Sequence, residues 1–311
     1  MKRTIPPLQG RVDRWRSHLD GWGTAPHNLS MTAPLSAVDH ALVAVPDLEA
    51  AAKLWRSFGF TLTPRAVHGG GATANHCIMF RDTYVELIAA TGDAASPLAA
   101  AIGARPPGGL GIAFATNDAA ATVKALRDAG VPTQDPIPLE RPLDLDGTVE
   151  TVRFENVLFQ ANLPGLIAFA CRHLTPALTR ARHEWQLHAN GATGIMEVVI
   201  GADDPSVFRP ALEQLFGIAH VADAPHGLSV ILDGIALAVM TPTGLAHRFG
   251  PKAVDGLAPL PGLAATVFGV NEPDAAGAMM DMGRVPYADH HHGLVVAAKH
   301  AGGMIVAFEE N

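Results

Sequence analysis

Two side chains stand out because they are polar where their neighbours are not. His40 sits in the run Val38-Asp39-His40-Ala41-Leu42-Val43-Ala44, and Glu86 in Tyr84-Val85-Glu86-Leu87-Ile88. A neutral imidazole and a carboxylate suit Zn, Mn, Fe, Ni or Co, and open coordination positions let a substrate chelate the ion through adjacent oxygens. Other histidines could complete such a shell. His68 precedes Gly69-Gly70-Gly71, a stretch free enough to fold a loop over a site. His188 lies two residues before Asn190-Gly191, and His290, His291 and His292 are consecutive. Each has a plainer reading. A strand histidine is often simply hydrogen-bonded. Consecutive strand residues cannot all face one site, and Asn-Gly marks a turn.

The elements that would position His40 and Glu86 can be read from periodicity. Residues 74–80 and 83–89 form two extended segments joined at Arg81-Asp82. A two-residue hairpin turn there sets Cys77 opposite Glu86 and Ile78 opposite Val85. Side chains alternate along a strand, so Asn75, Cys77, Met79 and Tyr84 share the face of Glu86. His76 then points to the opposite face unless a β-bulge intervenes. Asn75, His76, Tyr84 and His188 are the candidates for binding substrate. Cys77 has no evident base beside it and reads as a small buried residue.

The unit that holds His40 recurs. Segments starting near residues 36, 109, 192 and 261 each run strand, acidic or proline turn, helix, then three short strands. The turns can cap the helices. Gly59, Gly130, Gly217 and Gly283 then fall where a left-handed residue ends a helix. Counting back from those glycines, the position of His40 is taken by Gly111, Val198 and Ala264. Aligned instead on its acidic turn at Asp204, the third unit offers Glu197 as a first-strand ligand. The fourth strands of units two to four read LIAFA, IALAV and MIVAF, with no carboxylate at the position of Glu86. The longest connector separates units one and two from three and four. The expected organisation is an extension at 1–35, a domain at 36–172, a linker at 173–191 and a second domain at 192–311.

Composition narrows the field. With 311 residues, 48% hydrophobic and 17% charged, the chain has material for about two globular domains. A net charge of -8 with scattered basic residues excludes a nucleic-acid stripe, and no apolar run reaches the ~20 residues of a membrane span. Two cysteines without a CxxC partner suggest a reducing, cytoplasmic setting. Residues 1–30 lack the apolar core of a secretory signal, and Met31 is a candidate alternative start.

The repeated module, with Asp39-His40 in its first strand and Tyr84-Val85-Glu86-Leu87 in its fourth, resembles the vicinal oxygen chelate superfamily. Residues 38–60 and 68–90 look like its glyoxalase-like branch, and the resemblance spans roughly 36–309. It implies an α+β fold of four βαβββ modules, paired into two domains of curved mixed β-sheet with helices on the convex face. It implies metal ligands on first and fourth strands, placing His40 and Glu86 at the metal, with His68 or Glu197 as candidates for completing the shell. The expectation is a metal-dependent lyase or isomerase, or less readily a dioxygenase, acting on a small oxygenated molecule. The competing expectation is a binding protein of the same fold whose metal site has degenerated. The partner expected is a small molecule, with a homodimer as a further expectation.

Overall fold

The structure, a computed structural model, describes residues 33–92, 96–145 and 147–311. The expected N-terminal extension and alternative start lie outside the described residues, except for residues 33–35. The chain begins with β1 (Val38–Ala44), α1 (Leu48–Ser57), β2 (Ala66–Val67), β3 (Thr73–Met79) and β4 (Tyr84–Ala90). After α2 (Pro97–Gly103) come β5 (Gly108–Ala115), α3 (Ala119–Asp128), β6 (Ile137–Leu145), β7 (Thr148–Leu158) and β8 (Ile167–His173). The second half starts with β9 (Ala192–Gly201), α4 (Arg209–Phe216), β10 (Ala222–Ala224), β11 (Gly227–Leu232) and β12 (Ile235–Met240). Following α5 (Pro242–Phe249) are β13 (Gly262–Val270), α6 (Pro273–Gly283), β14 (Ala288–His290), β15 (Gly293–Val296) and β16 (Ile305–Glu310).

Pairing follows one rule throughout. Each first strand lies parallel to the fourth of its own unit, as β1 does to β4 and β9 to β12. Each also runs antiparallel to the first strand of a neighbour, β1 to β5 and β9 to β13. The two halves become one mixed sheet where β13 touches β5 at Leu263 and Gly109. A Cβ on Gly109 would stand 2.2 Å from the Leu263 carbonyl oxygen, so the junction requires glycine.

The local signals act as expected at three of the four helices. The Asp47 side chain accepts hydrogen bonds from the backbone N–H groups of Glu49 and Ala50 and starts α1. Gly59, Gly130 and Gly217 adopt φ of 89°, 78° and 86° past their helices. Gly283 does not. The left-handed residue after α6 is Arg284, at φ 55°. Gly283 instead lets α6 approach α1, because a Cβ there would lie 2.3 Å from the Ser57 carbonyl oxygen.

Alternation divides the buried side chains between two faces of the sheet. On the helix side, Phe60 and Phe80 of the first unit meet Phe268 and Phe308 of the fourth, with Phe60 and Phe268 ring centroids 4.9 Å apart. On the other face each half forms a trough, and the two are treated differently. In the C-terminal half, Leu245 and Phe249 of α5, with Ala253 beyond it, pack onto Val199, Ala238, Val267 and Ala307 and fill the trough. In the N-terminal half, α2 packs Ile102 against Leu42, Ala44 and Ile88, and a cavity of about 250 Å³ is left beside it.

Candidate active site

The cavity is built on a register shift. Between Val38 and His40 the β1–β5 pairing slips, so Val38 faces Phe114 while His40 faces its neighbour Ala113. The extra residue is Asp39. A bulge of this kind breaks the alternation, and Asp39 and His40 come within hydrogen-bond distance of each other on the trough side. Asp39 Oδ2 is 2.6 Å from His40 Nδ1 and 3.0 Å from His173 Nε2, while Arg180 pairs with Oδ1. Burial works to raise the Asp39 carboxyl, but His173 and His40 outweigh it and hold the group well below the usual carboxylate range. An ionised carboxylate only accepts, so His40 donates its Nδ1–H, and in the neutral ring this tautomer leaves the lone pair on Nε2. That Nε2 is buried and has no hydrogen-bond partner.

His40 Nε2 lies 3.5 Å from Glu86 Oε2. The hairpin between β3 and β4 delivers Glu86 as its register predicts, with Cys77 opposite Glu86 and Ile78 opposite Val85. Asn75 shares that face and donates from Nδ2 to Glu86 Oε1 at 2.5 Å. His68 comes from the glycine loop. Its Nδ1 is 2.8 Å from Thr73 Oγ1, and its Nε2 is 3.5 Å from Glu86 Oε1. Burial pushes the His68 imidazole below its ordinary pKa, Glu86 opposing, which favours the neutral ring. Gly69 lets this loop close against β6, because a Cβ there would be 3.2 Å from the Glu140 carbonyl oxygen.

Around these polar groups the wall is apolar. Leu42, Met79, Ile88, Leu98, Val152, Phe154 and Phe169 line it, and the Tyr84 ring stacks on His40 with centroids 4.3 Å apart. Burial, then the nearby Asp39 charge, raises the Tyr84 hydroxyl well above its ordinary pKa, so it stays a phenol. Burial pushes the Cys77 thiol up to about 12, further raised by Glu86, so it is not a thiolate nucleophile.

Two donor sets could be asked to hold a divalent ion. Among the described residues, Asp39, Cys171 and His173 offer atoms within 4.8 Å of one another. Both Asp39 oxygens are already engaged, and burial raises the Cys171 thiol well above its usual value, so that cluster reads as a hydrogen-bond hub. His40 Nε2, His68 Nε2 and Glu86 form a second, looser set outside that spacing, each imidazole 3.5 Å from a Glu86 oxygen on the cavity wall. Its chemistry fits, since Asp39 orients His40 from behind as a carboxylate behind a ligating histidine does.

The glyoxalase-like domain family matches residues 38–216, more than half of the chain. The chain belongs to the glyoxalase-like domain family. Solved structures of low sequence identity share its fold. A hypothetical protein from Staphylococcus aureus is 13% identical with a TM-score of 0.64, over 88% of this chain and 99% of that one. The 2,3-dioxygenase LapB from Pseudomonas sp. KL28 is 14% identical with a TM-score of 0.51, over 91% and 94%. A mutant of 4-hydroxymandelate synthase from Streptomyces coelicolor is 15% identical with a TM-score of 0.50, over 83% and 77%. No curated protein matches the chain.

In this glyoxalase-like chain the structure gathers His40, Glu86, His68, Asn75 and Tyr84 around one cavity. Three other candidates lie elsewhere. His76 faces the helix layer, its Nδ1 2.7 Å from the Thr63 carbonyl oxygen and its Nε2 3.5 Å from Glu49 on α1, as the alternation requires. His188 is packing between the halves: it accepts from Thr61 N, donates to the Met79 carbonyl, and sits against Phe80 at 4.8 Å. Glu197 belongs to the filled C-terminal trough. Arg248 on α5 bonds Glu197 at 3.0 Å and grips Glu309 through both guanidinium nitrogens at 2.7 and 2.9 Å. His290 also stands in that trough, 3.8 Å from Glu309, and not at the cavity.

Sequence reasoning passed over Asp39, Arg141, His173 and Glu309. Asp39 was hidden because strict alternation sends it to the other face. Arg141 had a signal: Leu139, Arg141 and Leu143 alternate, which marks a cation on an apolar strand face. Glu309 closes the fourth strand MIVAFEE, just beyond the position compared with Glu86.

Proposed function

We propose that this chain is an enzyme that binds a small oxygenated organic molecule in the N-terminal cavity and moves a proton on it. The observation that carries this reading is the buried, unpartnered Nε2 of His40, held by Asp39 and aimed at Glu86 across 3.5 Å. An orphaned buried ring nitrogen is costly, and one backed by an ionised carboxylate suits a bound ligand. His40 Nε2, Glu86 and His68 Nε2 are the groups that would hold a divalent ion. Such an ion, when bound, acts as a Lewis acid on adjacent substrate oxygens.

The chain's own residues supply the rest. Asn75 pins Glu86 Oε1 and leaves Oε2 on the cavity side to take a proton from the carbon beside those oxygens. Asp39 fixes the His40 ring, and Thr73 fixes that of His68. Leu42, Met79 and Phe169 make the wall beside these groups apolar, and a lower local dielectric strengthens each electrostatic contact there. This supports a lyase or isomerase reaction.

The experiment is metal analysis after equilibration with Zn, Mn, Fe, Co and Ni in turn. The wild-type chain should retain one equivalent of at least one ion, and His40→Ala and Glu86→Gln should each lose it. If wild type binds none of them, or both variants keep the ion, the reading falls and a non-catalytic binding protein stands in its place.

A further inference from the structure

Arg141 is not used by the reading above. It is 8% exposed and lines the cavity, yet its Nη1 is buried with no hydrogen-bond partner. The arginines of β7 and β8 are paired, Arg153 with Glu140 at 3.6 Å and Arg172 with Glu155 at 3.1 Å. The residue opposite Arg141 on β7 is Val152, and Leu143 beside it is buried with Val152 in an apolar cluster. Glu86, which lines the same cavity, contacts Asn75, His40 and His68. A guanidinium in apolar surroundings without a counter-charge is strongly unfavourable, and its planar fork fits an oxyanion with two oxygens.

We propose that Arg141 anchors a carboxylate of the substrate, so that the cavity takes a small organic acid. Its apolar body lies against Leu139, Val152 and Phe154, and its remaining oxygens turn toward His40 and Glu86. One guanidinium neutralises one negative charge, and Glu86 across the cavity disfavours a dianion such as phosphate. The cavity of about 250 Å³ lies at the small end of the ~300–1,000 Å³ range of drug-sized pockets, which suits a small acid. The inference rests on the cavity being the substrate site, and it is independent of whether a metal is held there.

Calorimetric titration of the full chain in excess chelator tests it. The probes are phenylacetate, mandelate and phenylpyruvate, the neutral phenylacetamide and mandelamide, and inorganic phosphate. At least one acid should bind at least about tenfold more tightly than its amide. Arg141→Gln should lose about tenfold or more for that acid and nothing for the amide, and Arg141→Lys should recover part of the loss. Ligand-free Arg141→Gln should melt no lower than wild type, since the substitution removes a buried unpaired charge and no hydrogen bond or ion pair. Equal affinity for acids and amides, no binding of any acid, unchanged acid binding in Arg141→Gln, a lowered melting temperature in that variant, or phosphate outcompeting every acid would each overturn the proposal. Acid binding in chelator that depends on Arg141 would survive failure of the metal experiment. Metal retention with a silent Arg141→Gln would remove this inference alone.

Discussion

At the residue scale the site turns on one displaced side chain. Asp39 reaches the trough because β1 carries one residue more than its partner there. It then decides which nitrogen of His40 faces the cavity. Asp39→Asn keeps the shape and removes the charge, so divalent-ion affinity should fall about 10–100-fold with the fold intact. Competition with a chromophoric chelator measures the first and circular dichroism the second. The same reasoning explains what the sequence could reveal. His40, Glu86, Asn75 and Tyr84 follow from alternation and a two-residue hairpin, both of which are local. The role of Asp39 does not, because a bulge is set by the register with β5, some seventy residues away. The glycine stretch marks the His68 loop as able to fold over a site, but the approach to β6 that holds it there is written in no local pattern.

At the element scale glycine has two different uses, and substitution separates them. Gly283→Ala must push α6 off the Ser57 carbonyl and should cost about 1–3 kcal/mol. Arg284→Gly, one residue on, relieves a left-handed side chain and should gain up to about 1 kcal/mol despite the entropy of glycine. Urea denaturation of both variants should give opposite signs; equal signs would refute the assignment. The order of strands and helices was legible because capping and period are written in short windows. The end of α6 was misread because helix-to-helix contact, not its own turn, fixed Gly283. Gly111 is similar. It stands where a ligand was sought on β5, but a Cβ there would be 2.0 Å from the Ile167 carbonyl oxygen of β8. No side chain fits at that point of the trough.

At the scale of the molecule, acid and internal charge both bear on the joint between its halves. Burial pushes His188 down to about 4, with its bond to the Met79 carbonyl opposing. The unfolded chain binds this proton from about pH 6.5 downward and the folded chain only near pH 4, so stability is full above that window and falls through it as pH drops. His188→Gln should flatten this part of the curve in denaturation runs across that range. In the C-terminal trough, Arg248 sits between the buried carboxylates of Glu197 and Glu309. Arg248→Ala strands both and should cost about 3–5 kcal/mol, whereas Arg248→Met combined with Glu197→Gln and Glu309→Gln should be far milder. Melting curves of the two variants would show it.

That filled trough has a consequence for how the chain can change over time. Where α5 fills the trough, its apolar side chains answer to packing, so one can exchange for another of like volume. The open half answers to two demands at once, and a neutral drift in its wall is an alteration in what it accepts. Saturation mutagenesis scored separately for abundance and for ligand binding should therefore divide the molecule. Substitutions around Phe249 and Ala253 would move both scores in step, while volume-conserving ones around Phe154 and Phe169 would shift binding by more than their effect on abundance.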